Sequence, residues 1–239
     1  MFEPPTSKNQ PYRFDSYPSS ILVDLNNRAV ANLQVGNYRA AVWDLERALQ
    51  RLEDPTIWYM YYHEQHLHPS DDKATLRVRA VPIALSDPDV SISQNIFEFY
   101  RRGFRIVTNR PEQHPLPPHC TMIVLKFNEA IAYHDDALRC GKRAHFYKAL
   151  ELYQDIMNMV HQYPIQGHLL LVMAIGNNVG HIHAHLLNFS QTREALYWVR
   201  QLVLVNQENA AKAPRSDFNF FYKLLAIFNG NDLNAAPAA

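Results

Sequence analysis

One skeleton of residues recurs three times along the chain, and it restricts the possible folds more than any other feature of the sequence. An Asn, any residue and a small residue stand together at Asn27-Arg28-Ala29, Asn128-Glu129-Ala130 and Asn178-Val179-Gly180. Each triplet is followed by an aromatic residue with a small one three positions on: Tyr38 with Ala41, Phe146 with Ala149, and Phe189 with Thr192. The register continues through Leu45 with Ala48, Tyr153 with Ile156, and Leu196 with Val199. From the small residue of the triplet to the aromatic is nine residues in the first and third copies and 16 in the second. The excess of seven is close to two helical turns at about 3.6 residues each, so the second copy reads as a longer hairpin of the same kind. In the first copy Leu22, Leu25, Ala29 and Leu33 form one helical stripe, Gly36-Asn37 breaks it, and Val42, Leu45, Ala48, Leu49 and Leu52 form another. Two antiparallel helices joined by a tight turn satisfy that pattern. Ala29, Ala41 and Ala48 stand where the backbones approach, and Tyr38 is a ring that can wedge between the helices. In the second copy the spacing predicts helices over Thr121–Leu138 and Phe146–Met159, linked at Cys140–Ala144.

These residues resemble the tetratricopeptide repeat (TPR), whose signature is Asn-x-Gly/Ala in a first helix, then Gly-x-Tyr-x-x-Ala, then an aromatic and an Ala in a second. Asn27, Ala29, Gly36, Tyr38, Ala41, Leu45 and Ala48 match it, while the second and third copies are degenerate, without the turn glycine in register. The repeats cover roughly half of the chain. More loosely, NIFEFYRRGFRIV and GNNVGHIH are similar to segments of uncharacterised TPR-like proteins of diatoms, a resemblance that implies no activity. The TPR resemblance implies a mainly helical array of antiparallel hairpins with a concave groove lined by the first helix of each pair. By that register Asn27, Gln34, Asn128, His134, Asp135, Asn178, His181 and His185 line the groove and contact a partner peptide or helix. The Lys and Arg with which TPR domains clamp a C-terminal carboxylate are missing at the corresponding places, which disfavours a chaperone-tail receptor.

Outside the repeats the chain changes character. Residues 1–20, with four Pro and the rings Tyr12, Phe14 and Tyr17, read as an extended arm, and 230–239 as a flexible tail around a single helical domain at 21–229. The stretch from Asp54 to Pro118 does not fit helical repeats. Within it, Val78–Leu85 and Ile96–Val107 read as the strands of a β-hairpin insertion, which must lie against the helices because two strands alone are marginal in water. DFNFFYKLLAIF, from Asp217 or the preceding Ser216, reads as a helix that caps the array.

Charge and composition narrow the function. Twenty-three Lys+Arg balance 23 Asp+Glu, with no basic excess to neutralise a phosphate backbone, so nucleic acid is not an expected partner. The longest apolar run, Leu169–Ile175, is seven residues, far below the roughly 18 that a membrane span needs. The start MFEPPTSKNQPYRF is neither a signal core nor an organelle presequence, which points to the cytoplasm or nucleus. Cys120 and Cys140 are too few for a disulfide framework and read as reduced, buried thiols.

The candidate chemistry is carried mainly by histidine, of which the chain has 12. His181 and His185 stand four apart on one helix face, but Ile182 occupies the position where a zinc protease carries Glu. The repeat register adds His134 and Asp135 to that face, so a metal site of His134, Asp135, His181 and His185 is the alternative to a polar, partner-binding groove. His63, His66 and His68 read as a solvated loop, and Trp58–Tyr62 as packing. Arg101, Arg102 and Arg105 read as a small basic patch, solvated or paired with Asp/Glu rather than anion-binding. Adjacent His119 and Cys120 point opposite ways in an extended chain, which argues against a nucleophile and base pair. There is no Gly-rich phosphate loop, no GxSxG, and only seven Gly in all. The sequence therefore predicts a non-enzymatic adaptor without cofactor that binds protein partners, or a scaffold subunit of a large complex. The histidine-dependent metal protein or enzyme is the rival. With reference pKa values near 6.5, the three histidines would make partner binding sensitive between about pH 6 and 7.5.

Overall fold

The small residues of the recurring skeleton bring helices together in successive pairs. The structure, a computed structural model, describes residues 18–67, 78–83, 99–107, 117–163, 169–205 and 220–221. Helices α1 (Pro18–Gln34) and α2 (Tyr38–Leu52) form the first pair, α4 (Pro118–Cys140) and α5 (Arg143–Gln162) the second, and α6 (Leu169–His185) and α7 (Phe189–Val205) the third. Within each pair the helices pack along one another, α2 packs on α4, and α5 on α6. The core runs through these seams as Ala29, Leu33, Ala41, Leu45, Ala48, Ile123, Ala130, Ala149, Tyr153, Ile156 and Ile175, all buried. The second pair takes up its seven extra residues as helix length, and its link is only Gly141-Lys142.

Turn chemistry ends the first helix of each pair. Gly36 and Gly141 adopt left-handed backbone at φ 74° and 65°, a conformation open to glycine. In the third pair the same turn falls on Leu187 at φ 60°. The bonds nonetheless match, since Asn37 N donates to Asn32 O and Asn188 N to His183 O, both at 2.8 Å. Arg28 on α1 forks onto the buried carboxylate of Asp44 on α2, its Nε 2.8 Å from Oδ2, tying the first pair together. The wedge aromatics are covered from the neighbouring pair. Arg139 lies 4.7 Å over the Tyr38 ring, and His185 stacks on Phe146 with centroids 5.7 Å apart. Phe189, at the third wedge position, is 68% exposed.

Strands β1 (Val78–Pro82) and β2 (Arg102–Ile106) form a two-stranded antiparallel sheet, with Val78 opposite Ile106 and Pro82 opposite Arg102. The expected hairpin is present with shorter strands, and residues 84–98 lie outside the described ones. Strand β2 packs on α1 and α4.

Three expectations are corrected. The aromatic run after Asp54 is helix α3 (Pro55–Leu67), packed on α2 and α4, so His63 and His66 stand on a helix and not in a loop, while His68 lies outside the described residues. A helix was hidden there because Tyr59, Met60 and Tyr62 face solvent together, leaving no polar side to reveal the 3.6-residue period. Helix α1 begins at Pro18, inside the supposed arm, whose residues 1–17 lie outside the described ones. Cys120 is buried as expected, but Cys140 is exposed at the end of α4. Of the expected capping helix only Phe220 and Phe221 are described; both are helical, and both pack against Tyr100. Residues 230–239 are also outside. No described helix is long and apolar enough to cross a membrane.

Ala41 is fully buried on α2, which packs on both α1 and α4. Ala41→Leu forces those helices apart and is expected to cost about 1–3 kcal/mol, read as a lowered thermal midpoint.

Candidate functional site

Asparagine carries an acceptor and a donor spaced much like those of a peptide group, so one carboxamide can hold both polar groups of one backbone residue. Three asparagines of the recurring skeleton do so here, and on a single extended segment of the same chain. Asn27 Oδ1 accepts from Ile106 N at 3.0 Å while its Nδ2 donates to Ile106 O at 3.0 Å. Asn128 holds Phe104 in the same way, at 2.8 and 2.9 Å. Asn178 holds Tyr100, accepting from its N at 3.0 Å and donating to its O at 3.4 Å. Helices α1, α4 and α6 thus present one ladder of carboxamides to residues 99–107. Six residues separate Tyr100 from Ile106, roughly 20 Å at about 3.3 Å each, which spans two helix-to-helix steps of about 8–10 Å.

The period of two along the segment divides the work. Even-numbered Tyr100, Phe104 and Ile106 turn their backbone groups to the asparagines, while Arg101 O accepts from Ile83 N at 3.2 Å on the β1 side. Asn26 reinforces the centre, donating to Phe104 O at 3.0 Å and accepting from Asn128 Nδ2 at 2.8 Å. Tyr100, Phe104 and Ile106 are buried, with Phe104 against Phe127 at a centroid distance of 4.9 Å. Gly103 lets the strand come close: a Cβ there would stand 3.3 Å from Val30 Cγ1 and 3.5 Å from Asn128 Oδ1.

Every residue expected to line the groove lies along this seam or beside it, but the described residues that it meets belong to its own chain. Gln34 donates to Pro82 O at 3.2 Å and accepts from Arg105 Nη2 at 2.7 Å. Asp135, buried on α4, pairs with Arg101 at 3.3 Å. His134 and His181 meet directly, Nε2 to Nδ1 at 3.0 Å, and His185 lies 4.6 Å from His181 between ring centroids. Phe99 covers both, 3.9 Å from His134 and 5.6 Å from His181. The three histidines come together as the register predicts, yet His134 and His181 are core residues, not a polar lining. The alternative metal set is not assembled: His134 and His181 spend nitrogens on each other and Asp135 faces a guanidinium. Among the described residues no three His, Cys, Asp or Glu converge to hold an ion.

Burial sets the protonation of this cluster. It pushes His181 down to about 3, helped by the nearby charges of His185 and Arg101. His134 is held well below its ordinary value first by burial and then by His181, His185 and Arg101. One N–H donated to one lone pair joins the two neutral rings, whereas two protonated rings would set N–H against N–H. His185, exposed at the end of α6, is lowered too, by partial desolvation of its ring. The expected titration between about pH 6 and 7.5 therefore does not belong to His134 or His181 in the folded chain. Buried Glu129 stands between Asn128 and Ala130, its carboxyl pushed up to about 7 by burial and then by Glu46, against the pull of Lys148 and Lys126.

The remaining candidates are structural. The Cys120 thiol is pushed up to about 12 by burial, so it is not a thiolate nucleophile, and His119 stacks on Tyr163 at 4.9 Å. Trp58 donates from Nε1 to Leu52 O at 2.7 Å, while Tyr59 and Tyr62 remain exposed. Sequence reasoning included Asn26 among the groove-lining side chains, but it missed that they hold segment 99–107 of their own chain, and it missed Glu129. The alternation of aromatic and β-branched residues marked the segment as a strand; no local signal marks its partners, 78 and 79 residues away.

Asn128→Ala strips partners from Phe104 N–H, Phe104 C=O and Asn26 at a fully buried position. It is expected to cost on the order of 3 kcal/mol or more by denaturant titration, with a smaller loss for Asn27→Ala, where water reaches the groups set free. The pH dependence follows from three groups. Between about pH 4.5 and 6.5 the unfolded chain protonates His134 and His181 while the folded chain does not, and the folded chain alone protonates Glu129. The histidines make stability fall with acidification; Glu129, whose contribution is complete below about 4.5 and lost as pH rises through about 7, opposes them. The histidines outweigh Glu129, so stability rises with pH across this window, more steeply in Glu129→Gln and less steeply in His181→Gln. Urea midpoints at several pH values read these slopes.

The chain matches no known protein family, and no curated protein or solved structure shows significant similarity to it.

Proposed function

We infer that the chain is a non-enzymatic protein-interaction module, an adaptor or scaffold subunit, built as a degenerate TPR-like array of three helical hairpins. What carries the reading is the carboxamide ladder: Asn27, Asn128 and Asn178, at one position of the recurring skeleton, each read both backbone groups of one residue in an extended segment. Such a ladder recognises polypeptide as polypeptide, whatever its side chains, and a groove that holds one extended segment has the chemistry to hold another. The equal use of the three asparagines also supports the repeat register, since unrelated helices would have no reason to place the same side chain on the same strand.

Two further observations fit a scaffold. Phe189 is bare at the position where Tyr38 and Phe146 are covered, as expected where an array is continued by something else. The cysteines are unbridged, which suits the reducing cytoplasm or nucleus. His134 and His181, locked in the core as neutral rings, give the rival metal-dependent reading no support.

Isolation of the chain from its native source under mild conditions tests the reading. A polypeptide recovered with it in stoichiometric amount is the expected result. A chain that runs alone at 27.7 kDa and carries stoichiometric metal overturns it.

A further inference from the structure

Residues 99–107 fill the groove without being built into it as a central strand is. One edge of the segment pairs with β1, and the other is bonded to side chains. Two strands alone are marginally stable in water, so the attachment rests on the carboxamides and on the apolar anchors Phe99, Tyr100, Phe104 and Ile106. The seam is also imperfectly satisfied. His134 Nδ1, Arg101 Nε and Arg105 Nε are buried there with no hydrogen-bond partner among the described residues, and Arg101 meets Asp135 at 3.3 Å as an ion pair only. A segment held on one side by a sequence-blind ladder, with single polar atoms left without hydrogen bonds, is poised for exchange.

We propose that residues 99–107 are a displaceable occupant of the groove, and that the vacated groove binds an extended segment of a partner protein carrying the same side-chain pattern. The proposal rests on the reading of the chain as a protein-interaction module and deepens it. The pattern is aromatic, Arg, any residue, Gly, aromatic, any residue, aliphatic, as in Tyr100, Arg101, Gly103, Phe104 and Ile106. Each position has its reason. The first aromatic fills the space beside Phe220 and Phe221, 5.2 and 5.4 Å away, and the second lies on Phe127. The Arg faces the buried Asp135 carboxylate. Gly suits the place where the chain passes Val30, since a Cβ would stand 3.3 Å from Val30 Cγ1. The ladder supplies affinity for any extended backbone, and these four contacts supply the selection.

Native-state hydrogen exchange on the full chain is the first test. The amides of Tyr100, Phe104 and Ile106 are expected to exchange at least about tenfold faster than those of Ile131 and Ala132 in α4, because they open as a separate unit. Equal protection makes the segment a permanent part of the core and overturns the proposal while leaving the protein-interaction reading intact. The second test adds a fluorescent peptide of sequence EFYRRGFRIVT and reads anisotropy. Gly103→Val, which drives the chain's own strand off Val30, is expected to bind it at least about tenfold tighter than the unaltered chain, and a peptide with Val for Gly should bind neither. Arg101→Glu, which sets a carboxylate against Asp135, should act in the same direction and serves if Gly103→Val does not fold. Peptide binding that neither variant strengthens overturns the proposal. So does a variant that runs at twice the monomer mass without binding peptide, because the occupant is then a second copy of this chain.

Discussion

Nine residues of extended chain, clasped by three asparagine side chains, hold the helical pairs in one register. A buried backbone N–H or C=O without a partner costs about 1–3 kcal/mol, so a strand laid between helices needs its edge groups answered. Helices cannot answer them from their own backbones, which are already bonded. Asn27, Asn128 and Asn178 do, and in doing so each fixes where its helix stands along the strand. Shifting one pair against its neighbour by a turn would take a carboxamide away from its residue. The strand is therefore a ruler for the array as much as a guest in it, and the packing of small residues between helices can be tight without having to specify the alignment alone.

Much of this was legible in the sequence because it is local. Leu22, Leu25, Ala29 and Leu33 repeat with the helical period, Gly36 and Gly141 end helices where a left-handed residue is needed, and the seven-residue excess of the second copy became helix length. The meeting of His134 with His181 was also readable, since both follow an Asn of the same register. What the sequence could not reveal was occupancy. An Asn that lines a groove and an Asn that holds a strand in that groove look the same when the strand lies 78 or 79 residues away. Helix α3 escaped for a different reason: its exposed face carries Tyr59, Met60 and Tyr62, so the polarity contrast that betrays a helix is absent.

Occupancy also changes what the polar residues mean. In an open groove, His134 and His181 would be wet, titrate near neutrality and sense a ligand. Roofed by Phe99, they become neutral rings bonded to each other. Asp135 likewise is a buried countercharge for Arg101 rather than a free carboxylate. The same side chains would do different chemistry with the segment out, since exposing them returns their pKa values toward the ordinary range.

The direction of the strand has a consequence for synthesis. It runs against the order of the helices: Ile106 lies on the first pair, Phe104 on the second and Tyr100 on the third. As the chain leaves the ribosome, the first hairpin is complete by residue 52, but the residue that closes its carboxamide is number 106. Tyr100 emerges earlier still relative to its partner, Asn178, which comes 78 residues later. For that interval Tyr100 has neither Asn178 nor the rings of Phe220 and Phe221 to lie on, and it is exposed apolar surface of the kind that recruits chaperones or pairs with a neighbouring chain. The segment closes last at the end that was made first.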